Sequence, residues 1–175
     1  MTEAPDSDYI LLVEDTVTQA MLYQHSFQKK GLKTKLAKSA EKALAMIEEE
    51  RPKLVLSDVN MPEMNGYELC RKIKASHTTG NIKVILMSTV LDPEEVVEIV
   101  NSGADDFLLK SMPTDYLADR LLLVLRDSAE GVAGEPSTTT LVTENGPKKL
   151  EIDSQKAANL IYSLYHTLCR MQKEG

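Results

Sequence analysis

The sequence predicts an α/β fold of the doubly wound kind, a parallel sheet covered by helices on both faces, on three observations. Short apolar runs alternate strictly with amphipathic stretches; runs such as ILLV and LVL are apolar almost without interruption; and proline, glycine and acidic residues mark where the amphipathic stretches begin and end. Strands that are apolar on both sides are buried on both faces, which requires a parallel sheet between two helix layers.

The first strand is predicted over Tyr9 to Val13 and the first helix over Thr16 to Lys30, with Gly31 as its stop. A second strand, Lys33 to Ala37, leads to a helix over Ala40 to Glu50. The third strand, Lys53 to Ser57, carries the LVL run and precedes a helix over Gly66 to Ala75. Lys83 to Met87 forms the fourth strand, followed by a helix over Pro93 to Ser102. Asp92 supplies that helix with an N-cap, Pro93 needs no N–H donor in the first turn, Glu94 and Glu95 sit at the positive end of the dipole, and Gly103 ends it. Asp106 to Leu109 is the fifth strand and Asp115 to Arg126 the fifth helix. Crossovers between the strands are expected to be right-handed.

A first domain is predicted over residues 1–127. From about Asp127 the composition shifts to DSAEGVAGEPSTTT, so residues 128–137 read as a linker. Residues 138–175 read as a β-hairpin plus a helix. TTTLVT and KKLEI flank the turn residues Glu144, Asn145, Gly146 and Pro147, and Asp153 or Ser154 can cap the helix. Leu150, Ala157, Leu164 and Met171 recur every seven residues with Ile161 and Leu168 between them, the spacing of a coiled-coil seam. Such a helix packs on the first domain, pairs with a second copy, or continues into a longer natural protein.

Composition narrows the partners. Hydrophobic residues make up 42% of the 175, enough for a sizeable core, and a net charge of −7 gives no footprint for nucleic acid or an acidic membrane. A cation suits this charge better. Cys70 and Cys169 lie far apart without metal-ligand spacing and read as ordinary thiols in a reducing cytosol. The opening MTEAPDSD is polar and acidic, and no run approaches the roughly 18 apolar residues of a membrane span, so a soluble, cytoplasmic chain is expected. His25, His77 and His166 stand without partner motifs.

In open parallel sheets ligands sit outside the carboxyl ends of the strands. Glu14 and Asp15 follow the first strand there, and Asp58 follows the third. Two unit charges about 4 Å apart interact by roughly 4 kcal/mol in a partly wet site, so three such acids require a cation, and oxygen-only ligands select a hard ion, Mg²⁺. Ser88 ends the fourth strand and Lys110 the fifth, adding a hydroxyl and an ammonium to the same edge. A carboxylate nucleophile, Asp58, beside a metal and a lysine is the arrangement that attack on a phosphoryl donor needs.

These residues resemble the receiver domains of two-component response regulators: the acidic pair Glu14 and Asp15, the acceptor Asp58 followed by Met61, Pro62 and Gly66, then Ser88 and Lys110. The resemblance covers about Asp8 to Arg126. It implies a flavodoxin-like sheet of strand order 2-1-3-4-5, transfer from a histidine kinase or phosphotransfer protein, slow autodephosphorylation, and Mg²⁺ held by Glu14, Asp15, Asp58 and the backbone carbonyl of Asn60. It further implies a signalling switch in which Ser88 moves toward the phosphoryl group and Phe107 changes rotamer. The runs VEDTVTQAM and LSDVNMPEMNGYELC, with the hairpin and helix that follow the domain, are most similar to receiver segments of hybrid sensor histidine kinases.

Three positions depart from the family pattern. Glu14 replaces the commoner Asp; Thr89 stands where Ala or Gly is usual and crowds the phosphoryl pocket; and Ser111 and Met112 separate Lys110 from Pro113, which puts the family's cis peptide after the lysine in doubt. Other functions fit less well. A haloacid-dehalogenase-like phosphohydrolase needs an acid where Asn60 stands, a flavin or dinucleotide module needs a Gly-rich loop where EDTVTQ stands, and a transcription factor needs more than the roughly 38 residues left after the linker. An interaction module that works without phosphorylation is the remaining alternative.

Overall fold

The computed structural model describes residues 7–89, 92–127, 136–143, 146–153 and 156–157. Its elements run β1 (Ile10–Val13), α1 (Val17–Lys29), β2 (Thr34–Ala37), α2 (Ala40–Glu49), β3 (Leu54–Asp58), α3 (Gly66–Ala75), β4 (Lys83–Ser88), α4 (Pro93–Ser102), β5 (Asp106–Leu109) and α5 (Thr114–Asp127), then β6 (Pro136–Thr143) and β7 (Gly146–Asp153). The five predicted strands and five predicted helices are all present, with ends shifted by at most one residue. Asp58 and Ser88 themselves close β3 and β4, because a polar side chain does not prevent its backbone from completing the ladder.

The first five strands form one parallel sheet in the order β2-β1-β3-β4-β5. Register aligns their carboxyl ends: Val13 pairs with Ser57, Asp58 with Met87 and Ser88 with Leu109. Residues that follow β1, β3 and β5 therefore converge at one edge. Leu11, Leu12, Leu56, Ile85 and Leu86 are fully buried, as strands covered on both faces must be. On one face α1 packs with α5; on the other α3 packs with α2 and α4.

The caps follow the expected chemistry. Ser39 accepts from the Lys42 N–H, Asn65 and Glu68 form a reciprocal capping box, and Asp92 accepts from the Glu95 N–H. Gly103 ends α4 at φ +81°, a conformation that costs glycine little. A buried ion pair, Arg120 Nε to Asp106 Oδ2 at 2.6 Å, and a partly buried one, Lys74 Nζ to Asp105 Oδ2 at 2.6 Å, anchor β5 and its approach.

Strands β6 and β7 pair antiparallel, with Thr143 opposite Gly146. Both lie against α4, and Lys156 Nζ donates to the Gly103 carbonyl at the end of that helix at 2.8 Å. One expectation is corrected here. Leu150, assigned to the first position of the helical seam, lies inside the strand β7 and so in no helix. Ala157 is helical; Ile161, Leu164, Leu168 and Met171 lie outside the described residues.

Candidate functional site

Sheet order and register bring Glu14, Asp15 and Asp58 together, although 43 positions separate Asp15 from Asp58. One carboxylate oxygen from each lies within 4.8 Å of the others. Glu14 is fully buried and Asp58 nearly so, while Asp15 is the more open to water. Asp58 Oδ1 accepts from the Asn60 N–H at 3.1 Å, and Glu14 Oε1 from the Thr16 N–H at 3.2 Å, so backbone amides orient both carboxylates.

Lys110, carried in by β5, spans the cluster. Its Nζ lies 2.6 Å from Asp58 Oδ2 and 2.9 Å from Glu14 Oε2, and it donates to Gln19 Oε1 at 2.9 Å. Burial pushes the Glu14 carboxyl above its usual range and the nearby Asp58 charge adds to this, against the pull of Lys110. Burial also works against the Lys110 ammonium, but Asp58 and Glu14 outweigh it and hold the lysine above its ordinary value. Lys110 pairs with two of the three acids, which leaves unbalanced negative charge in an all-oxygen donor set. That chemistry fits a hard divalent cation.

Ser88 is buried at the end of β4, beside Asp58 in the sheet, and its carbonyl accepts from the Lys110 N–H at 2.8 Å. Its hydroxyl donates to Glu95 Oε1 on α4 at 2.7 Å. Thr89 is exposed, and Phe107 is buried in β5 opposite Leu86. No cis peptide occurs among the described residues, so Lys110 to Ser111 is trans.

Sequence reasoning missed three residues here. Gln19 had a usable signal, since it lies in the first turn of the helix that directly follows the acidic pair. The sequence marks Glu95 only as an acid near a helix dipole. The sequence shows Tyr67 only as part of a motif run, yet its hydroxyl donates to the same Glu95 Oε1 at 2.7 Å. Burial, followed by that carboxylate, raises the Tyr67 phenol far above its ordinary range.

The model of the response regulator receiver domain matches residues 10–122. The chain is 31% identical over 135 residues to the transcriptional regulatory protein AfsQ1 of Streptomyces coelicolor, covering 77% of this chain and 59% of that one. It is 34% identical over 138 residues to the response regulator MprA of Mycobacterium leprae, covering 75% and 59%. It thus spans about three-fifths of the length of these curated relatives. Among solved structures, the signal receiver domain of a signal transduction histidine kinase from Syntrophus aciditrophicus superposes with a TM-score of 0.63 at 36% identity, over 72% of this chain and 92% of that one.

Proposed function

Because this chain belongs to the response regulator receiver family, the phosphoryl acceptors of two-component signalling, we propose that Asp58 is the acceptor in a Mg²⁺-dependent transfer. The observation that carries this reading is the juxtaposition of Asp58 with Lys110 and two further carboxylates in a site backed by buried side chains. An Asp58 carboxylate oxygen attacks phosphorus in line, and the bond from phosphorus to the donor's histidine nitrogen breaks, leaving the electron pair on that nitrogen. Lys110, held by Glu14 and Gln19 as well as Asp58, keeps its ammonium beside the acceptor oxygen and stabilises charge on the transferred group. Glu14, Asp15, Asp58 and the Asn60 carbonyl would hold Mg²⁺, which when bound neutralises charge on the phosphoryl oxygens. Ser88 would offer its hydroxyl to one of those oxygens, Phe107 would answer its movement, and Thr89 would sit at the mouth of the pocket.

The donor is a histidine kinase or phosphotransfer protein. Support comes from α1, which starts beside the site and leaves Val17, Met21 and Leu22 exposed at 49%, 63% and 56%, an apolar surface for a partner helix. No described helix is long and apolar enough to cross a membrane. On this reading the reaction runs in the cytoplasm, and the chain acts there as a switch whose only chemistry is self-phosphorylation from phosphodonors and slow loss of the group.

Intact-mass measurement after incubation with phosphoramidate and Mg²⁺ tests the assignment. One phosphoryl group is expected on the wild-type chain and none on Asp58→Asn. Equal modification of that variant would refute it.

A further inference from the structure

The Ser88 hydroxyl has one proton to give, and it gives that proton to Glu95 Oε1 at 2.7 Å. The same oxygen accepts from the Tyr67 hydroxyl at 2.7 Å, and the Glu95 N–H is fixed by Asp92 Oδ1 at 2.8 Å. Glu95 is thus tied to β4, to α3 and to its own helix cap. It joins the end of β4 to α4, and α4 packs against β6 and β7, with Lys156 bonded to the carbonyl of its C-cap Gly103.

From this arrangement we infer that Glu95 is a latch: its carboxylate holds the Ser88 hydroxyl off the phosphoryl site, and engagement of Ser88 there frees α4 and the hairpin docked on it. The inference rests on the reading that Asp58 is phosphorylated. A phosphoryl group on Asp58 presents oxygens that compete with Glu95 for the single hydroxyl proton. When they win, Glu95 loses its hydrogen bond to Ser88 and keeps the one to Tyr67, so this tie between α4 and β4 is broken while the tie to α3 remains. The hairpin rests on the helix whose anchorage has changed, which places this C-terminal element under the control of the site. Glu95 is a positioning residue, since it acts through Ser88.

A protein whose competent conformer is only partly populated reacts in proportion to that population. Removing a charge-assisted hydrogen bond changes such a population by about tenfold or more. In the full chain, Glu95→Ala is therefore expected to take phosphoryl from phosphoramidate about tenfold faster than wild type, with Glu95→Gln, which keeps an acceptor oxygen, in between. In a Ser88→Ala background the Glu95→Ala acceleration should vanish, because a residue acting through Ser88 has nothing left to act on. Hydrogen exchange supplies a readout independent of phosphorylation: unmodified Glu95→Ala and Ser88→Ala should each expose amides of the first turns of α4 and of β6 and β7 to faster exchange than wild type.

Uptake by Glu95→Ala and Glu95→Gln at the wild-type rate, an acceleration that persists undiminished without Ser88, or wild-type exchange in both unmodified variants would each overturn the latch. A wild-type chain that takes no phosphoryl group at all would overturn the assignment of Asp58 instead, and the latch would still be decided by exchange in the unmodified variants.

Discussion

Gly66, the first residue of α3, lies so close to Asp58 that a Cβ on it would stand 2.3 Å from the Asp58 carbonyl oxygen and 2.9 Å from the Val59 α-carbon. Its N–H donates to the Val59 carbonyl at 2.9 Å. The glycine of the acceptor motif therefore serves contact between backbones, letting the start of α3 press on the strand end that presents the carboxylate. Both neighbours are backbone and cannot swing aside. Gly66→Ala is expected to cost about 2 to 3 kcal/mol by overpacking, read by urea denaturation, and to slow phosphoryl uptake. A variant of wild-type stability and rate would show that the approach is tolerant.

Asp15 makes no ion pair with Lys110 and adds a third charge to the cluster. Asp15→Asn should raise the melting temperature of the metal-free chain by relieving repulsion. It should also reduce the increment that Mg²⁺ gives, because a ligand stabilises only the state that gathers its donors. Thermal melts with and without Mg²⁺ measure both. An undiminished Mg²⁺ increment in the variant would remove Asp15 from the ligand set.

Asp105 links stability to pH. Burial raises its carboxyl, but Lys74 at 2.6 Å outweighs this, helped by the Val84 N–H and by Lys83, and the net effect lowers it below the usual aspartate value. The unfolded chain then binds the proton more readily, so stability rises with pH in this range. The contribution is fully present above the ordinary aspartate pKa of about 3.9 and is lost as pH falls through the lower folded value. Asp105→Asn should cost about 2 kcal/mol near neutrality by leaving the partly buried Lys74 without its counter-charge, and should flatten acid denaturation. Urea midpoints across the acid range decide it; parallel curves for both chains would contradict the assignment.

Cys70 is fully buried, and burial pushes its thiol up to about 11. The nucleophilic thiolate is scarce at neutral pH and the sulfur is shielded. In a Cys169→Ser chain, labelling by a thiol reagent should be slow in buffer and fast in urea. Rapid labelling of the native chain would mean that the α3 face opens readily.

A second copy of the chain is expected to pair through the C-terminal segment. Sedimentation of the full chain beside one ended at Asp127 should show a dimer that the truncation converts to a monomer, with Leu164→Asp having the same effect. Two monomers, or two dimers, would move the search for an interface to the faces of the five-stranded sheet's own helices.

The sequence by itself determined the alternation of strands and helices, the helix caps at Asp92 and Gly103, and the identity of the acids, serine and lysine at the strand ends. Those features are local, because apolar period, capping geometry and strand termination are each written within a few neighbouring residues. The ranges of β3 and β4 each fell one residue short, since Asp58 and Ser88 are polar and yet pair in the ladder. Only the tertiary structure decided what those end residues touch. Ser88 and Tyr67 meet on one oxygen of Glu95 across separations of 7 and 28 residues, Gly66 presses on Asp58 from the start of another element, and Leu150 belongs to a strand lying against α4 rather than to a helical seam. Each depends on how two elements pack, and the direction of a side chain across such a junction follows from the placement of both backbones, which no local pattern encodes.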